Sequence, residues 1–223
     1  MPPAPLTTVL LDLDGTLVDP AEGIVGSCRY ALESLGFPLE PSDDLHWVIG
    51  PPLRQTIATL LGGRADPEAA VQLYRDRYGD QGLYQAVVYD GVPAALAALR
   101  ARGLTLLICT SKARVFAERV ADHFGLNAYL AGVYGPDLDG RFEDKGDLIA
   151  HILEAERLAP ENVCMVGDRK HDMLAAAGHG IPGVGVLWGY GDEAELRAAG
   201  ATVLIHEPGE LPSACEAARS TLA

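Results

Sequence analysis

The sequence predicts a doubly wound α/β fold in which a helical segment interrupts the chain after the first strand. Three observations carry this prediction. Short runs rich in Val, Leu and Ile recur at 9–13, 104–109, 163–166, 184–187 and 203–205, with a weaker one at 131–134. Each is apolar at odd and even positions alike, as a strand covered on both faces of a parallel sheet requires. Helix-period segments at 92–102, 113–124, 145–157, 171–179 and 193–199 alternate with them, the rhythm of a parallel sheet flanked by helices. The rhythm fails once, between the first two runs, where residues 19–85 read as helix.

Taken in order, the first run ends in "VLLDLDGTLVD", which places Asp12 and Asp14 at the end of an otherwise apolar strand. The interruption that follows resolves into helices at 22–35, 53–61 and 67–78. Leu53, Ile57, Leu60 and Leu61 share one face of the second; Val71, Tyr74 and Tyr78 share one face of the third, and Pro67 suits its start. Between the first two lies "VIGPPLRQT", where each proline disfavours helix in its predecessor, so Gly50, Pro51 and Pro52 form a fixed loop ahead of Arg54. The expected organisation is a discontinuous α/β core, 1–18 and 86–223, with an α-helical domain at 19–85.

Composition narrows the function. A hydrophobic share of 48% against 22% charged residues predicts a packed core. The net charge of −14 argues against nucleic acid and anionic membranes as partners, since both need a basic face. No apolar run approaches a membrane span, and "MPPAPLTTV" has neither the basic region nor the apolar stretch of a signal peptide. Cys28, Cys109, Cys164 and Cys215 are widely spaced, so free thiols and a cytoplasmic location are expected.

Asp12 and Asp14 lie two apart, so on a strand they point the same way. Two buried carboxylates repel each other unless a cation joins them, and oxygen ligands without nearby His or Cys favour Mg²⁺ over Zn²⁺. A second acidic pair, Asp168 and Asp172 in "VCMVGDRKHDM", follows another buried run. Thr110 and Ser111 in "LLICTSK" end a third, where hydroxyls and helix-start amides can hold anionic oxygens, and Lys145 in "FEDKGDL" would add positive charge. Each pattern has a plain structural counterpart: a solvated turn, a helix cap, an exposed lysine. Their conjunction at strand ends points to a metal-assisted phosphate site. By contrast, Lys170 and His171 read as solvated residues of a first helical turn, and Trp188 and Tyr190 as packing at the sheet edge.

The order D-L-D-G-T, Thr-Ser after a strand, Lys, then G-D-x-x-x-D resembles the haloacid dehalogenase (HAD) superfamily over nearly the whole chain. Within it, "DLDGTLVD", "IGPPLRQT", "YDGVPAALAALRARG", "CTSK", "VGDRKHDM" and "VGVLWGYG" are most similar to phosphoglycolate-phosphatase-type hydrolases. One departure is Gly146, where relatives often carry Pro; it should soften the helix start. The resemblance implies a Rossmann-like core with a small α-helical cap, and Mg²⁺-dependent hydrolysis of a small phosphorylated metabolite. It casts Asp12 as nucleophile, Asp14 as acid and base with its carbonyl on the metal, and Asp168 and Asp172 as further metal residues. It casts Thr110, Ser111 and Lys145 as phosphoryl contacts; Arg54 is the expected contact to the leaving group. Rival classes are a 5′-nucleotidase, a phosphomutase and a non-catalytic receiver-type module. Both monomer and homodimer are compatible with the sequence.

Overall fold

From its first strand, β1 (Thr8–Leu11), the chain turns into a two-residue strand, β2 (Val18–Asp19). Three helices follow, α1 (Ala21–Ser34), α2 (Leu53–Leu61) and α3 (Pro67–Asp80), before β3 (Val87–Val88) pairs antiparallel with β2. The rest alternates as α4 (Val92–Ala101), β4 (Thr105–Cys109), α5 (Arg114–His123), β5 (Gly132–Tyr134) and α6 (Lys145–Ala155). It closes with β6 (Val163–Gly167), α7 (Lys170–Gly178), β7 (Gly183–Val186), α8 (Glu193–Ala198), β8 (Val203–Ile205) and α9 (Leu211–Ser220). This description comes from a computed structural model and covers residues 5–220.

Six strands form one parallel sheet in the order β5-β4-β1-β6-β7-β8. The strand order reverses at β1, which has β4 on one side and β6 on the other. Open α/β sheets bind ligands beyond the carboxyl ends of the strands at such a reversal. The predicted alternation is visible in the packing. Val9, Leu11, Leu106, Ile108 and Val166 pack with Leu96 and Leu99 of α4 and Leu211 and Cys215 of α9. Leu10, Leu107, Cys109 and Met165 pack on the other face, with Leu148, Ile149 and Ile152 of α6. Each fully buried Leu contributes about 1.5–3 kcal/mol relative to exposure. Continuing the alternation from Leu10 carries Asp12 to the α6 side.

Two features were not expected from sequence. β2 and β3 form a two-stranded ribbon at the root of the helical insert, too short to show any period. α9 is poor in large apolar residues, yet it buries Leu211, Ala214, Cys215 and Ala218. β1 ends at Leu11 rather than at residue 13, although the amide of Asp12 still donates to the Val166 carbonyl at 2.9 Å. α6 does begin at Lys145 despite Gly146, because Asp144 caps it by accepting from the Asp147 amide at 3.1 Å.

Within the insert, Ile24, Cys28, Ala31 and Leu32 of α1 pack with Ala70, Val71, Tyr74 and Tyr78 of α3. The helices approach closely where α1 meets the segment leaving α3: a Cβ on Gly23 would stand 2.0 Å from the Gly82 carbonyl oxygen. Gly23→Ala should therefore destabilise the protein, although alanine is the better helix former by about 1 kcal/mol. The clash is with backbone, and overpacking of this kind costs about 1–3 kcal/mol. A lower urea midpoint with an unchanged m-value is expected; a raised midpoint would show that the segment yields freely.

Candidate active site

The loops after β1, β4 and β6 and the first turns of α6 and α7 meet beyond the carboxyl end of the sheet. Asp12, Asp14, Thr110, Lys145, Asp168 and Asp172 are all buried there. Lys145 donates to Asp12 Oδ1 at 2.8 Å and, in a shorter contact, to Asp172 Oδ1. Asp172 also caps α7, its Oδ2 accepting from the Arg169 amide at 3.0 Å. Asp168 accepts from the Tyr190 amide at 2.8 Å and from the Thr16 hydroxyl at 3.4 Å. The backbone is drawn tightly around it: a Cβ on Gly15, whose φ is +83°, would lie 2.1 Å from Asp168 Oδ2.

Within the site, the cluster of Asp12, Asp168 and Asp172 is contacted by one ammonium, that of Lys145. Oxygens of Asp12, Asp168 and Asp172 lie within 4.8 Å of one another. Burial pushes Asp168 well above the usual carboxylate range, and the charges of Asp12 and Asp172 push it further. Burial also lifts Asp172, to about 6, with Lys145 opposing and Asp12 assisting. For Lys145, burial alone would favour the neutral amine, but Asp12 and Asp172 outweigh it and hold the ammonium firmly protonated. A buried, all-oxygen donor set with surplus negative charge fits a hard divalent cation.

Asp14 stands outside that cluster. Its Oδ1 accepts from Lys112 Nζ at 2.6 Å, and its carboxylate is not among those that converge with Asp12, Asp168 and Asp172. Burial raises its pKa, with Lys112 opposing. Lys112 also donates to the Tyr78 hydroxyl, and its ammonium lies 4.8 Å from the centre of that ring. This lysine, visible within "CTSK", was passed over in the sequence because nothing local distinguishes it from an exposed lysine.

Asp12 and Asp14 form the floor of a cavity of about 70 Å³, with Thr110, Ser111 and Lys112 at its side and α2 and α3 above. Arg54 does not line it. Its Nε donates to Glu68 at 2.8 Å, and its other nitrogens reach Glu143 and the Leu138 carbonyl. The loop position is as expected, but two acids that are distant in sequence capture the guanidinium. Arg75 of α3 lines the cavity instead. Arg169, also passed over, is buried and reaches from the start of α7 to the Ile49 carbonyl of the insert and to Glu195, the latter at 2.9 Å. Trp188 and Tyr190 do more than pack at an edge. Trp188 donates to the Thr16 carbonyl at 3.0 Å, and the Tyr190 hydroxyl reaches Asp19.

Residues 9–186 match the family described as haloacid dehalogenase-like hydrolase. The chain belongs to that family. Among curated relatives, a 5′-nucleotidase of Pseudomonas aeruginosa is 45% identical over 85% of this chain and 86% of its own. The tyrosine-protein kinase PtkA of Mycobacterium tuberculosis is 40% identical over 89% of this chain and 68% of its own. A phosphoglycolate phosphatase of Caulobacter vibrioides is 31% identical over 93% and 90%. A crystal structure of a predicted phosphatase from Clostridium acetobutylicum superposes with a TM-score of 0.89 at 34% identity, covering 94% of this chain and 98% of that one. With its fold and acidic cluster, this HAD chain is a phosphoric monoester hydrolase. No helix among the described residues is long and apolar enough to cross a membrane.

The charge imbalance of the HAD site predicts how stability depends on pH. Asp168 and Asp172 hold protons in the folded state that the unfolded chain releases from about pH 4 upward. Without a cation their contribution is therefore present below that pH; that of Asp172 is lost as pH rises through about 6, and that of Asp168 is lost well above the usual carboxylate range. A divalent cation should reverse the loss. The gain in thermal midpoint with saturating Mg²⁺ over EDTA is expected to be larger at about pH 8 than at about pH 5. Equal gains would place the cation elsewhere.

Proposed function

We propose that this chain is a Mg²⁺-dependent phosphatase that hydrolyses a small phosphate monoester through an aspartyl-phosphate on Asp12. The observation that carries this reading is the separate pairing of the two floor carboxylates, Asp12 with Lys145 and Asp14 with Lys112. One carboxylate is held beside the acidic cluster and the other beside the cavity wall, an arrangement suited to two different jobs.

Asp12 is the nucleophile. A carboxylate approaching a phosphate dianion meets a repulsion of about 4 kcal/mol per charge pair at 4 Å with an effective dielectric of 20. Lys145 offsets part of that, and Thr110 and Ser111 hold phosphoryl oxygens with Lys145 as the ester bond breaks. Asp14 gives its proton to the departing alkoxide, then takes one from the water that attacks the aspartyl-phosphate. Asp12, Asp168, Asp172 and the Asp14 carbonyl would hold Mg²⁺, which when bound neutralises phosphoryl charge and fixes its orientation. Residues 19–85 act as a cap domain that shuts water from the site.

The leading substrate is 2-phosphoglycolate. The cavity of about 70 Å³ is well below the roughly 150 Å³ that accommodates benzene, so a compact leaving group suits the cap as it stands. A second reading, a nucleoside 5′-monophosphate, is favoured by the identity to the Pseudomonas 5′-nucleotidase and would require the cap to open further. The four cysteines are free and buried, in keeping with a cytoplasmic setting.

Phosphate release from a panel of small esters, with Mg²⁺ and with EDTA, tests the reading; full turnover in EDTA would sink it. Asp12→Asn should abolish turnover and any covalent phosphoryl-enzyme while the protein stays folded. Asp14→Asn should lose at least about 10²-fold in rate on alkyl esters. Its loss on 4-nitrophenyl phosphate, whose leaving group needs no proton, should be smaller. Equal losses on both would remove Asp14 from the acid role.

A further inference from the structure

Among the described residues, the cavity above Asp12 and Asp14 is lined by one cation with no hydrogen-bond or ion-pair partner. Arg75 lines it from α3, four residues after Val71 and three before Tyr78, both of which are buried. Among the described residues no hydrogen bond or ion pair reaches its guanidinium, and its Nε is buried without an acceptor. Burial lowers its pKa and the nearby charge of Arg54 lowers it further, with Glu68 and Glu143 opposing. The acids close by are engaged: Glu68 and Glu143 both bind Arg54. Asp137, on the cavity wall, lies 3.6 Å from Arg114. Lys112 is held by Asp14 and Tyr78. The remaining cap wall is largely apolar, with Ile24, Val48, Leu53 and Tyr74, and carries one further unpaired polar group among the described residues, the buried hydroxyl of Thr56.

A buried donor left without an acceptor is costly, and here that cost falls on the Nε of the half-buried Arg75 guanidinium. Its planar fork is matched in geometry by a carboxylate. The phosphoryl group is provided for on the floor, by the residues after β4 and at the start of α6. Arg75 stands on the opposite side, where the leaving group of an ester bound to Asp12 must lie. Resting on the phosphatase reading above, we propose that Arg75 is the specificity-determining residue of the cap. It binds a carboxylate carried by the leaving group, so the preferred substrates are small phosphate monoesters of hydroxy acids. Arg54, drawn away by two glutamates, has no part in this recognition.

The test compares three esters on the full chain with Mg²⁺: 2-phosphoglycolate, 2-hydroxyethyl phosphate as its uncharged counterpart, and 4-nitrophenyl phosphate. Wild type should favour 2-phosphoglycolate over 2-hydroxyethyl phosphate in kcat/KM. Arg75→Ala should cut that preference about 10- to 100-fold, the range for a charge-assisted hydrogen bond, with most of the change in KM. Arg75→Lys should restore part of it, since the charge returns without the fork. Arg75→Gln, which keeps the stem and polar end, serves if the alanine variant unfolds. A preference that survives Arg75→Ala and Arg75→Gln overturns the proposal, as does a wild type indifferent to the carboxylate. An Arg75-dependent preference for ethylene glycol bisphosphate over 2-phosphoglycolate would overturn the carboxylate assignment by making the second anion a phosphate. Absence of Asp12-dependent turnover on every ester would instead overturn the phosphatase reading, and this proposal with it.

Discussion

Lys145, set between Asp12 and Asp172, is the contact on which the rest of the site depends. Three buried carboxylates lie together, two of them on one ammonium, and each would be costly to bury alone. The lysine keeps the cluster from flying apart, yet it cannot neutralise it. The remaining charge suits a further cation or a proton. It also accounts for local features that otherwise look arbitrary. Glycine stands at residues 15 and 189 because a Cβ at either would strike Asp168. Asp144 caps the helix that begins with Lys145, steadying the turn that carries the ammonium.

Topology brings these groups together without long loops. Because β1 sits at the reversal of strand order, the segments after β4 and β6 emerge on either side of Asp12. Each brings short-range chemistry: hydroxyls from one side, carboxylates from the other. The helical insert leaves the chain just beyond Asp14 and returns through the β2–β3 ribbon, so it is anchored beside the groups it covers.

Several polar links join that insert to the sheet domain, among them Lys112 to Tyr78, Arg169 to the Ile49 carbonyl, Arg54 to Glu143 and Arg119 to the Gly79 carbonyl. The first two start from residues adjoining the phosphate and metal motifs. Placement of the insert and geometry of the floor are therefore coupled through buried charges rather than through apolar packing alone. The relatives are similar to this chain over most of its length, while their names specify different activities.

The sequence by itself determined the sheet, because strands buried on both faces must be apolar at both parities and such short runs recur between helix-period segments. It also determined the insert, the only long helical stretch that breaks the alternation. The positions of Asp12, Asp14, Thr110, Ser111, Lys145, Asp168 and Asp172 were legible for a related reason: polar groups ending apolar runs stand out against their surroundings. Partnerships were not legible. Arg54 and Arg75 look equally available in the sequence, and the choice between them rests on Glu143, 89 residues from Arg54. Lys112 and Arg169 were similarly hidden, since their partners, Asp14 and Tyr78 in one case and Ile49 and Glu195 in the other, lie on distant elements. α9 escaped notice because small residues suffice where a sheet face is already nearly covered. Local pattern reports which groups are out of place in their own segment; only the tertiary structure decides which opposite charge reaches each of them first.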